Sequence, residues 1–133
     1  MRVELFENRT GEAGLEAIVT QAFAFELSRR GRSSGRDSGN DALLLKGVIR
    51  SVEVRSVSSA RRGSGGERQA TLTVDLQLFG EKGVVWSAEK ISASEIYVID
   101  TEKLFEEDRR RAAFSIAARR LAETLVNRLS DDF

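Results

Sequence analysis

The sequence contains neither cysteine nor histidine. Without cysteine there is no disulfide, no thiolate metal site and no cysteine nucleophile. Without histidine the chain lacks the commonest metal ligand and the usual general base at neutral pH, so most zinc and triad chemistry is excluded. Missing cysteine says nothing about compartment. No apolar run is long enough to span a bilayer as a helix, and the sequence as given shows no signal peptide. An excess of charge of one sign is missing too. Twenty-one basic residues balance 21 acidic ones, so no global field steers the chain toward nucleic acid or a membrane. The few aromatics sit where a core is expected, which leaves no footprint for nucleic-acid binding.

The charge is unevenly distributed, however. Between Arg29 and Arg68 ten basic residues face only Asp37, Asp41, Glu53 and Glu67, and most of the basic residues are arginine. Arginine favours planar, bidentate contact with carboxylate or phosphate. A plain alternative is that these residues belong to solvated loops.

With 133 residues the chain has the size of a single domain, able to bury roughly two-thirds of its unfolded surface without staples. Its clearest pattern lies in residues 68–99. Ala70, Leu72, Val74, Leu76 and Leu78 alternate with Gln69, Thr71, Thr73, Asp75 and Gln77, the period of a strand with one buried face. The Gly80-Glu-Lys-Gly83 turn then predicts a hairpin into a second arm containing Val84 and Trp86. Upstream, Val3, Leu5 and Phe6 predict a short first strand, and Met1 placed directly before it suggests that native N-terminal sequence has been cut away. Asn8 and Thr10 suit a turn, so a helix begins between Thr10 and Leu15. Its stripe is Leu15, Ile18, Val19, Ala22, Phe23 and Phe25, with Leu27 on the flank and Gly31 as a cap.

Residues 42–57 read as a strand whose alternation slips between Ile49 and Val52. With Gly47 nearby, that slip predicts a bulge or bend. The second hairpin arm slips in the same way before Ile91, which predicts a curved sheet. Residues 31–41 and 58–67 read as flexible loops within the single domain 1–133. A last helix starts near Asp100 and carries Leu104, Phe114, Ala117, Ala118, Leu121, Leu125 and Leu129 on one face. Phe105 and Ile116 fall off that stripe, while Arg109, Arg110 and Arg111 lie within reach of Glu106, Glu107 and Asp108 as solvated helix pairs.

The expected fold is therefore α+β, a four-stranded mixed curved sheet in the order β-α-β-β-β-α with two helices packed on one face. The other sheet face is left to Gln69, Thr71, Thr73, Asp75 and Gln77. Counting chain reversals gathers Arg9, Arg55, Arg61 and Arg62 at the end of the sheet remote from Met1. Asp75, Glu89, Glu95 and Asp100 are carboxylates near strands, but no spacing pairs two of them for catalysis. No metal site and no cofactor is expected.

Several segments together resemble one family. They are Phe6-Glu-Asn-Arg-Thr10 before Gly14-Leu-Glu, Ala42-Leu-Leu-Leu-Lys-Gly47, Val85-Trp86 leading to Ser92-Ala-Ser-Glu-Ile-Tyr97, and the arginine- and alanine-rich helix over residues 111–129. In this order they resemble LptE, the outer-membrane lipoprotein family of lipopolysaccharide assembly. The Glu-Asn-Arg-Thr piece also occurs in envelope lipoproteins similar to the curli secretion lipoprotein and the penicillin-binding-protein activators. The resemblance implies a non-enzymatic protein tethered to the outer membrane on its periplasmic side by an N-terminal lipid anchor. It also implies a plug inside the large β-barrel LptD that helps the barrel assemble and takes part in placing lipopolysaccharide in the outer leaflet. Arg9, Arg55, Arg61 and Arg62 would then meet lipid A phosphates. The alternative is a periplasmic adaptor lipoprotein that binds a peptidoglycan synthase or a secretion pore.

Overall fold

The computed structural model describes residues 1–30, 43–58, 66–99 and 105–132. In chain order the elements are β1 (Arg2–Val3), β2 (Glu7–Asn8), α1 (Leu15–Arg29), β3 (Leu44–Ser58), β4 (Glu67–Gly80), β5 (Gly83–Val98) and α2 (Glu106–Asp132). The expected first strand is thus two short pieces. Both run parallel to β3, as the crossover through α1 requires, and β3, β4 and β5 follow as antiparallel neighbours. Both helices cover the same sheet face, with α2 over β5 and β4 and α1 packed against α2. Leu104, Gly31 and the 31–41 loop lie outside the described residues.

The break between β1 and β2 has a steric cause. A Cβ on Gly47 would stand 2.1 Å from a ring carbon of Phe6, so only glycine leaves room for that ring to drop onto β3. Phe6 is 2 % exposed and its ring centroid lies 5.1 Å from that of Phe23 on α1. To reach this seat the backbone leaves the ladder, Leu5 turns outward, and the Phe6 N–H donates to Thr20 Oγ1 of α1 at 2.9 Å. Gly47 therefore serves a close approach. The bulge expected from the slip between Ile49 and Val52 is at Arg50, between the pairs Ile49↔Val74 and Ser51↔Thr73.

That bulge changes which side chains face the helices, from Leu45 and Ile49 before it to Val52 and Val54 after it. A second bulge places Glu89 and Lys90 of β5 opposite Asp75 alone, with Lys90 at φ 54°. The β3 bulge thus lies between Val74 and Thr73 of the central strand and the β5 bulge at Asp75, and the Asp75 carboxylate reaches both. Asp75 Oδ2 accepts a hydrogen bond from Arg50 Nη1 at 2.7 Å, and Oδ1 accepts the Lys90 backbone N–H at 2.8 Å. Burial pushes the Asp75 carboxyl up, but these two donors and their charges outweigh it and hold the group below the usual carboxylate range.

The core stripe of α2 is as expected from Phe114 to Leu129, joined by Ala113, Ala122 and Val126. In α1 the buried residues are Leu15, Val19, Ala22, Phe23, Glu26 and Leu27, while Phe25 is 63 % exposed. The helical period explains this correction, because three and four residues beyond Ala22 and Phe23 lie Glu26 and Leu27. Glu26 is tolerated there because Arg29 and Arg30 reach it at 2.7 and 3.4 Å. The Arg29 hydrogen bond, working against burial, keeps its carboxyl low.

Candidate functional site

Two surfaces are candidates: the sheet face without helices, and the end of the molecule where loops meet the start of α2. On the open face Gln69, Thr71, Thr73, Asp75 and Gln77 project from β4 as predicted, opposite Ile96, Ser94, Ser92 and Ser87 of β5 and opposite Arg55, Glu53, Ser51, Val48 and Lys46 of β3. Thr71 and Thr73 share hydroxyl hydrogen bonds with Ser94 and Ser92 at 2.8 and 2.7 Å. The face is mostly hydroxyls, amides and charges, with Val48 and the half-exposed Ile96 among them. A shallow cavity of about 320 Å³ opens beside the β1–β2 break and is lined by Glu4, Leu5, Lys46, Val48 and Asp75 among others. Val84 points to this side as well, opposite Phe79, rather than continuing the Trp86 row.

At the loop end, the Glu-Asn-Arg-Thr segment builds its own turn. Asn8 Oδ1 accepts from the Thr10 N–H at 3.0 Å and from the Thr10 hydroxyl at 2.7 Å. Asn8 Nδ2 donates to the Glu12 carbonyl at 2.9 Å and to Glu16 Oε1 at 3.1 Å. Asn8 and Thr10 are thus structural, and Gly14, at φ 85°, caps α1 in place of a side chain. Arg9 is exposed and ion-paired with Glu7. Arg55, on the open face of β3, donates to Gln69 Oε1 at 3.3 Å.

The Arg9 N–H binds the Ile49 carbonyl. Arg55 therefore lies six positions further along β3, on the order of 15 Å away or more. These two guanidiniums are not brought into contact. Arg61 and Arg62 lie outside the described residues.

Sequence reasoning missed other members of this end. Arg68 Nη1 meets Glu106 Oε1 at 2.7 Å, and Arg110 Nε reaches Glu12 Oε2 at 3.4 Å. Arg109 Nη1 donates to the Val98 carbonyl at 3.0 Å. Arg110 therefore ties the first turn of α2 to the loop before α1, not only to acids on its own helix. No spacing rule could have shown a contact between residues 98 positions apart. Arg55 and Arg111 are exposed and have no carboxylate partner among the described residues. Beneath this cluster, the Tyr97 hydroxyl is buried with no hydrogen-bond partner in the described structure, and burial raises its pKa.

The remaining carboxylates named as catalytic candidates have structural partners or none. Asp75 pairs with Arg50, Glu95 meets Arg120 of α2 at 2.8 Å, Glu89 is exposed, and Asp100 lies outside the described residues. Among the described residues, no three His, Cys, Asp or Glu side chains gather as a metal site, and no helix is long and apolar enough to cross a membrane.

The family segments now have physical roles: Phe6 fits onto Gly47, Asn8 closes the turn, Glu95 anchors Arg120, and Trp86 Nε1 donates to Asp132 Oδ2 at 2.8 Å. Among solved structures the fold is similar to a minor lipoprotein from Acinetobacter baumannii, with 17 % identity, 98 % of this chain and 91 % of that chain covered, and a TM-score of 0.61. It is also similar to the rare lipoprotein B from Shewanella oneidensis, with 16 % identity, 99 % and 96 % covered, and a TM-score of 0.60. At these identities the likeness establishes the fold alone. No curated protein sequence matches the chain. The model of the family described as LptE, lipopolysaccharide-assembly, matches residues 1–129. The protein belongs to the LptE family of lipopolysaccharide assembly.

Proposed function

We propose that the protein is a non-enzymatic, lipid-anchored plug on the periplasmic side of the outer membrane. It occupies an LptD-type β-barrel, helps that barrel assemble, and takes part in moving lipopolysaccharide to the outer leaflet. The observation that carries this reading is the open sheet face. The open side of a five-stranded sheet presents mostly hydroxyls, amides and charges, with Ile96 and Val84 half-exposed among them, which suits a barrel lumen where contact is largely polar and shape-driven. Arg9, Arg55, Arg61 and Arg62 contact lipid A phosphates in this proposal. Support comes from the exposure of Arg55 and its lack of a carboxylate partner among the described residues.

The test is co-purification of the full-length, C-terminally tagged protein from its native envelope. A stoichiometric large β-barrel surviving detergent is the expected result. A peptidoglycan synthase or a secretion oligomer without a barrel would overturn the plug and favour an adaptor. The Arg55→Ala, Arg61→Ala, Arg62→Ala triple variant is expected to bind lipopolysaccharide about tenfold more weakly or worse at low salt. Unchanged affinity would remove the arginine assignment and leave the plug standing.

A further inference from the structure

The first half of β3 is covered on its outer side by β1 and β2, through bonds from the N–H groups of Arg2, Glu4 and Arg9 to the carbonyls of Leu43, Leu45 and Ile49. Cover stops there. From Ser51 to Val57 the outer edge of β3 has no strand beside it among the described residues. Before the Arg50 bulge, the outward carbonyls of Leu45 and Ile49 belong to residues that face the helices. After it, Val52 and Val54 take that face, so the N–H and C=O groups of Val52, Val54 and Ser56 point to the outer side, where no strand pairs with them among the described residues.

We propose that this edge is a homodimer interface in which two copies of the chain pair antiparallel about Val54. In that register Val54 faces Val54 of the second copy, and Val52 faces its Ser56, so every outward residue meets an outward residue and the backbone bonds are reciprocal. Glu53 then lies directly opposite Arg55 of the second copy, and Arg55 opposite its Glu53, on the open face where both are exposed. The neighbouring symmetric registers, about Glu53 or Arg55, set like charges opposite each other and are disfavoured. The half-buried Val52 and Val54 gain cover. Such an edge otherwise invites unselective pairing; here its charges select a second copy. Arg55 also belongs to the proposed phosphate contacts, so the test is run without lipid and its result stands apart from that reading.

Sedimentation of the wild-type chain up to about 1 mM is expected to show the average mass rising from 14.7 kDa toward twice that value. Glu53→Arg alone, or Arg55→Glu alone, places like charges opposite each other twice per dimer and is expected to weaken association about tenfold or more. Mixing the two variants restores both opposite-charge pairs, so the mixture should associate where neither component does. This recovery also shows that both variants are folded. A wild-type mass independent of concentration, single variants that associate as well as the wild type, or a mixture no tighter than its components would each overturn the proposal.

Discussion

The two edges of the sheet are handled in opposite ways. Along the far half of β5, Arg120 and Arg109 reach over from α2 and donate to the outward carbonyls of Ser94 and Val98, so an incoming strand would find those acceptors occupied. Along the far half of β3 no described side chain does this, and the outward groups have no strand beside them among the described residues. The difference follows from where the helices lie. The long α2 runs over β5 and can extend arginines past its edge, whereas α1 sits against α2 and the short β1 and β2. Protection of an edge depends on which long side chains are within reach.

The largest effect should come from removing the cover of β3. Gly47→Ala sets a methyl group where the Phe6 ring lies, so the ring must leave its buried seat and β1 and β2 lose their anchor. A loss of about 3 kcal/mol in denaturant unfolding is expected, comparable to deleting a buried aromatic side chain. In a Phe6→Ala background the ring atoms nearest the added methyl group are gone, and the same substitution should cost under about 1 kcal/mol. Equal costs in both backgrounds would show that Gly47 acts through something other than the Phe6 ring.

How much of this was readable beforehand depended on whether the cause was local. The alternation in β4 displayed its buried face directly, and the phase slips in β3 and β5 announced both bends, because a one-residue shift changes which side every later residue faces. What remained hidden required contacts distant in sequence. Gly47 looked like part of the bulge because nothing nearby shows that Phe6 needs its space. Phe25 looked like core because it is apolar, although the helical period assigns that direction to Glu26, whose burial depends on Arg29 and Arg30. At the loop end, loop counting grouped Arg9 with Arg55, which the fold keeps apart, and it could not show Arg68 and Arg110, since their partners lie 38 and 98 positions away.

A middle-sized effect should come from the line where both edges change character. Asp75 bonds Arg50 at the β3 bulge and Lys90 at the β5 bulge, so Asp75→Asn weakens both bends. With Arg50 substantially exposed, solvent screening limits the expected loss to about 1 kcal/mol at pH 7. The sign of its pH dependence is fixed by the depressed carboxyl. The stabilisation is fully present above the ordinary aspartate value of 3.8 and fades as pH falls through the lower folded value. The wild-type advantage over the Asn variant should therefore shrink in acid. An advantage constant from pH 7 down to about 3 would show that the charge of Asp75 does not hold the bulges.

The smallest stability change, and the most direct test of the guarded edge, is the Arg109→Gln, Arg120→Gln double variant. Both side chains are at the surface, so their loss should cost no more than about 1 kcal/mol in total. Made in the Glu53→Arg background, where pairing through β3 is suppressed, the double variant leaves the Ser94 and Val98 carbonyls without their arginine donors. Concentration-dependent association should then appear through the other edge, with slower amide exchange in β5 as the assembly grows. Should the triple variant stay monomeric at concentrations where the wild type pairs, the arginines would be ordinary surface contacts. The asymmetry between the edges would then rest on the charges of β3 alone.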